Sequence, residues 1–154
     1  MASDDDFTGK YVNFNKLDSD VQLLIKESVK ARNNAYCPYS NFRVGAALLT
    51  DSGAVYPGCN VENISYGASI CAERVAVCNA ISSGDCNIKK IVVCADSNEG
   101  PVSPCGMCRQ FIVEFSKNKD IAIYLTSSKL DSKIVVTSIR ELLPRAFITF
   151  RDIS

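Results

Sequence analysis

The stretch "SICAERVAVCNAISSGDCNIKKIVVCAD", residues 69–96, decides the architecture. Val75, Cys78 and Ile81 recur at helical spacing, and Gly84 closes the segment. "IKKIVVCAD" then turns to β-branched residues, the composition of a buried strand. A helix running into a strand is the building unit of an α/β fold.

Working outward, "FRVGAALLT" (42–50) and "AVYPGCNVE" (54–62) read as strands joined by a turn at "DSG" (51–53). Pro57 marks the second as an edge strand or one that ends early. Before them, Asp18 or Ser19 caps a helix carrying Val21, Leu24, Ile25 and Val29, and Pro38 prevents its continuation. Downstream, "CGMCRQFIVEFS" (105–116) is a short helix, with Phe111 and Phe115 four apart. "IAIYLT" (121–126) and "KIVVTS" (133–138) are strands, and "IRELLPRAF" (139–147) is a closing helix stopped by Pro144. This order predicts an α/β fold, a three-layer α/β/α sandwich around a mixed five-stranded sheet. Residues 1–16 are expected to be a flexible N-terminal arm, and 17–154 a single domain.

Composition narrows the partners. With 47% hydrophobic residues in 154, the chain builds a core without disulfide staples. Lys+Arg and Asp+Glu are both 17, and no basic block exceeds the Lys89-Lys90 pair, which argues against nucleic acid. The longest apolar run, "VGAALL" (44–49), is far too short to cross a bilayer, and the acidic N-terminus has no signal-peptide core. A cytoplasmic protein without membrane partners is the expectation.

Eight cysteines and no histidine concentrate the chemical question. In a reducing compartment such cysteines are metal ligands, catalytic groups or buried thiols. Cys37, Cys59, Cys78, Cys86 and Cys94 read as small core residues or incidental ones, Cys78 on the apolar side of its helix. Cys105 and Cys108 are three apart at a helix start after Pro104, and Cys71 falls near another helix start. Three thiolates and an open position suit a catalytic zinc. The Cys-x-x-Cys pair alone suits a redox protein equally, though that leaves Cys71 and Glu73 without a role. Glu73 is either the base beside a metal or a charge complementing the helix dipole. These alternatives stay open on the residues alone.

The blocks "YCPYSNFRVGAAL", "GCNVEN", "ICAER", "SPCGMCRQ" and "ELLP" stand in an order that resembles the small, homotetrameric, zinc-dependent cytidine deaminases, from about residue 36 to 147. "CAE" and "PCGMC" match the all-cysteine form of the zinc deaminase signature. The resemblance implies one Zn²⁺ per chain held by Cys71, Cys105 and Cys108, with Glu73 as catalytic proton shuttle. It implies substrate contacts from Phe42, Asn60, Glu62, Ala72 and Phe147, the last lent by a neighbouring subunit. Three thiolates on Zn²⁺ leave a net negative centre; Arg74, and Gln110 behind it, are the candidates to drain that charge. The implied reaction is hydrolytic deamination of cytidine and deoxycytidine in pyrimidine salvage, within a homotetramer with shared active sites. Blasticidin-type deaminases share the all-cysteine site and are the nearest alternative. Polynucleotide deaminases use a histidine ligand, which this chain lacks. Two readings of a different class remain: a Cys-x-x-Cys redox protein and a structural-zinc module.

Overall fold

The computed structural model describes residues 10–116, 119–129 and 133–148. A six-stranded mixed sheet runs through it. Its strands are β1 (Lys10–Val12), β2 (Val44–Thr50), β3 (Val55–Cys59), β4 (Ile88–Ala95), β5 (Ala122–Thr126) and β6 (Ile134–Ser138). Four helices cover it: α1 (Ser19–Arg32), α2 (Ala72–Ser82), α3 (Gly106–Val113) and α4 (Ile139–Leu142). Strand order is β1-β6-β5-β4-β2-β3. Within this sheet β4 and β5 pair in parallel, joined by the crossover through α3, and its other four strand pairings are antiparallel.

Side-chain alternation sorts the layers. Ala47, Leu49, Val92, Tyr124 and Ile134 face α1, packing on Val21, Leu24 and Ile25. Their neighbours Ala46, Leu48, Ile91, Val93, Ile123, Leu125 and Val135 point to the other face, against Ala72, Ala76 and Val77 of α2, Ile112 of α3 and Ile139 of α4. Central strands buried on both faces read as continuous apolar runs, as "VGAALL" does. Each large side chain so buried contributes roughly 1.5–3 kcal/mol. Pro57 lies in β3, at an edge of the sheet as expected. Gly84 takes φ +80°, the left-handed conformation that ends α2.

Three expectations need correction. The sheet has six strands rather than five, because Lys10–Val12 pairs antiparallel with β6, Lys10 opposite Val136. A three-residue strand carries too little pattern to be seen, and its register is set by a partner over a hundred residues away. That strand lies inside the stretch assigned to the flexible arm, and a 3₁₀ turn at Phe14–Lys16 follows it; residues 1–9 lie outside the described ones. Second, Cys78 is exposed rather than in the core. The face α2 turns inward is Ala72, Ala76, Val77 and Ala80, not the Val75–Cys78–Ile81 stripe. The small alanines face inward because the helix backbone lies almost on β3 at Gly58, where an added Cβ would stand 2.4 Å from Ala76 N. Third, the core reading holds for Cys37 and Cys94 alone of the five; Cys86 is exposed and Cys59 half-buried, which leaves them the incidental alternative.

Candidate metal centre and active site

Two helix starts meet at the site. Cys71 is the N-cap of α2 and Cys105 the N-cap of α3; Cys108 sits in the first turn of α3. The three Sγ atoms lie within 4.8 Å of one another, Cys71 and Cys105 3.9 Å apart. Thiolates 2.3 Å from a tetrahedral zinc stand about 3.8 Å apart, so the donor set fits that ion. Cys105 is exposed, Cys71 half-buried and Cys108 fully buried, so the cluster opens to one side. Cys105 and Cys108 are therefore not an isolated redox pair, because a third sulfur from another helix joins them.

Electrostatics prepare one sulfur for ionisation. A hydrogen bond shared with Cys108, then Arg74 and Cys105, bring the Cys71 thiol down to about 5 against the opposition of burial. Cys108 moves the opposite way, raised by that same contact with Cys71 and by burial. Sulfurs this close do not all ionise without a cation among them. Arg74 Nη2 donates to Cys71 Sγ at 3.6 Å, the contact expected of a charge-draining residue. Its Nε is buried without a hydrogen-bond partner among the described residues. Free amides at two helix starts add partial positive charge nearby.

Glu73, in the first turn of α2, is only 4% exposed. Burial pushes its carboxyl up, and the negative Cys71 adds to this; its own backbone N–H, Cys108 and Arg74 pull the other way. Burial thus favours the protonated form of this carboxyl more than water would, which suits a group that receives and returns a proton. Ala72, fully buried, opens α2 between Cys71 and Glu73.

The remaining candidates are held in tighter hydrogen-bond networks than the sequence suggested. Asn60 Oδ1 accepts from Val44 N at 2.9 Å, and Asn60 Nδ2 donates to Phe42 O at 2.8 Å. Glu62 accepts from Tyr39 N at 2.9 Å, from Ser40 N at 3.2 Å and from the Ser40 hydroxyl. Ser40 above all, with both backbone amides, holds its carboxyl below the usual range against partial burial. Both side chains thus brace the 36–44 loop, keeping one amide N–H and further lone pairs for another partner. A cleft of about 340 Å³, lined by Tyr39, Ser40, Glu62, Tyr66 and Ser69, opens beside Glu62. Phe42 is partly exposed on the braced loop. Phe147 is exposed, and its carbonyl accepts from Gln110 Nε2 at 2.8 Å, so the Gln110 amide serves the C-terminal segment. Sequence reasoning missed Ser40 and Tyr39 as partners of Glu62, because hydrogen bonds to loop amides leave no sequence pattern.

Residues 18–125 match the family described as the cytidine and deoxycytidylate deaminase zinc-binding region. A cytidine deaminase of Sporosarcina psychrophila is 53% identical over 128 residues, 83% of this chain and 91% of that one. Among solved structures, a cytidine deaminase from Burkholderia pseudomallei is similar with a TM-score of 0.76 at 45% identity, over 82% of this chain and 98% of that one. One from Mycobacterium tuberculosis reaches 0.69 at 36% identity, over 85% and 99%. The fold and the three-sulfur cluster thus define a zinc-binding hydrolase. The chain belongs to the cytidine deaminase family.

Proposed function

We propose that this protein hydrolyses cytidine and deoxycytidine to uridine and deoxyuridine, releasing ammonia, with Glu73 as the proton shuttle. The observation that carries this reading is a buried carboxyl, raised by burial, two residues after the Cys71 that starts its helix. Cys71, Cys105 and Cys108 would hold a zinc ion, which would supply the Lewis acidity that lets a water lose its proton near neutral pH. Glu73 takes that proton and delivers it to N3 of the pyrimidine, which makes C4 electrophilic. The water oxygen bonds to C4. Glu73 then carries the second proton from that oxygen to the amino nitrogen, the C4–N bond breaks, and ammonia leaves. Asn60 and Glu62 bind the sugar hydroxyls by charge-assisted and neutral hydrogen bonds, and Phe42 packs on the base. The names of the similar proteins support the substrate class.

The reading extends to a single deaminase domain that includes β1, and to a cytoplasmic homotetramer serving pyrimidine salvage, with Phe147 lent between subunits. The large apolar side chains of Ile64, Tyr66, Met107 and Phe147, exposed on one chain, support an assembly that covers them. No helix among the described residues is long and apolar enough to cross a membrane. The test is zinc content and ammonia release from cytidine, measured on one preparation of wild type and of Glu73→Gln. About one zinc per chain in both is expected, with turnover at least ~10²-fold lower in the variant. A variant that keeps near-normal turnover would remove Glu73 from the mechanism; wild type inert towards cytidine would remove the substrate assignment.

A further inference from the structure

The segment that delivers Cys105 has no ladder or helix of its own: residues 101–105 lie between β4 and α3 in irregular backbone. One side chain holds it. Arg109 Nε donates to Pro104 O at 2.8 Å, immediately before Cys105, and Nη2 donates to Ser103 Oγ at 3.2 Å. The same guanidinium reaches across to the end of α4, where Nη1 donates to Leu142 O at 2.9 Å. Arg109 stands one residue after Cys108 in α3. A planar fork with fixed donor directions is the group able to fasten three acceptors at once; lysine is not.

We propose that Arg109 is a positioning residue for the metal centre. It fixes residues 103–105 so that the Cys105 sulfur meets those of Cys71 and Cys108, and it makes that geometry depend on the docking of α4. The next residue continues the connection, since Gln110 Nε2 holds Phe147 O at 2.8 Å. The C-terminal segment is thereby fastened to the helix that Cys105 caps and that carries Cys108. This inference rests on the reading that Cys71, Cys105 and Cys108 hold the zinc.

The experiment uses the full-length, zinc-loaded protein and three variants: Arg109→Gln, Arg109→Lys and Ser103→Ala. Zinc release into excess chelator is timed, the visible spectrum of the cobalt-substituted protein is recorded, and the melting of the metal-free protein is followed. Leu24→Ala, on the far side of the sheet in the α1 core, is the control for general destabilisation. Arg109→Gln is expected to release zinc roughly 10- to 100-fold faster and to shift the cobalt bands. Arg109→Lys and Ser103→Ala should give smaller changes in the same direction, and they carry the test if Arg109→Gln does not fold. Leu24→Ala should lower the melting temperature while leaving release and spectrum as in wild type. Unchanged release and spectrum in the Arg109 variants would overturn the proposal, as would equal changes in Leu24→Ala. A wild-type protein that holds no stoichiometric zinc would overturn the metal reading, and this inference with it; wild type's own zinc content tells the two failures apart.

Discussion

Replacing Gly58 by alanine tests whether the sheet sets the position of α2, the helix that carries Glu73. A Cβ there would stand 2.4 Å from Ala76 N, 2.5 Å from Ala72 O and 3.0 Å from Ala76 Cα. These are backbone atoms that no rotamer change relieves. Real Cβ contacts essentially never fall below 3.0 Å, so the first two turns of α2 must retreat from β3 by at least about 0.6 Å. Ala72 is bonded to both Cys71 and Glu73, so the displacement reaches a sulfur of the cluster and the proposed proton shuttle together. Overpacking of this kind costs about 1–3 kcal/mol, which for a chain of this size lowers Tm by roughly 2–12 °C. A misplacement approaching 1 Å costs up to about 10²-fold in rate, so kcat should fall about 10- to 100-fold in molecules that are still folded. Calorimetry measures the first effect and steady-state ammonia release at 25 °C the second. Gly45→Ala is the matched comparison. Its Cβ would meet Ser28 O at 2.0 Å and Arg32 N at 2.6 Å, both in α1, which carries none of the candidate site residues. Gly45→Ala should lose at least as much stability and keep its turnover per folded molecule. If Gly58→Ala loses no more turnover than Gly45→Ala, the argument that β3 positions the catalytic residues is refuted.

Other perturbations separate roles within the site. Arg74→Ala should slow turnover and speed zinc loss, since it removes the donor to Cys71 Sγ; kinetics and zinc content like wild type would reduce it to a surface charge. Asn60→Ala removes the two hydrogen bonds that clip Val44 and Phe42, at roughly 1–2 kcal/mol in denaturant unfolding, and should raise KM for cytidine. An equal loss on free cytosine would speak against sugar contact. Asp20 is held below its ordinary pKa by Lys90 at 2.8 Å. A depressed carboxyl contributes stability above its unfolded pKa, near 4, and loses it as pH falls through the lower folded value. Asp20→Asn should therefore cost up to about 1 kcal/mol at pH 7, and the difference from wild type should close in acid; a gap independent of pH in urea titrations would contradict the assignment.

Much of this molecule was legible because its signals are local. Val21, Leu24 and Ile25 mark α1 by spacing, "IKKIVVCAD" marks β4 by composition, and Cys71, Cys105 and Cys108 announce themselves against a background without histidine. The resemblance added a joint role for three sulfurs that spacing alone left ambiguous, and in the fold they meet. What stayed hidden depends on contacts between distant segments. β1 exists only because β6 offers it an edge. The inward face of α2 is chosen by the closeness of Gly58, so alanines displaced the larger residues that a hydrophobicity stripe favours. Asn60 and Glu62 were read as groups awaiting a ligand, yet both also hold the loop bearing Phe42, because hydrogen-bond partners are set by the backbone and carry no sequence pattern.

Cys71 and Cys105 begin α2 and α3, and neither side chain makes the capping hydrogen bond that serine or aspartate would make there. Such a cap is worth about 1 kcal/mol, so the bare polypeptide forgoes roughly that amount at each helix start. The scaffold and its chemistry thus compete for the same two positions. Selection for heat resistance without any demand for turnover would drift towards serine or aspartate at 71 and 105, and would leave a sturdier protein with no reason to keep its metal.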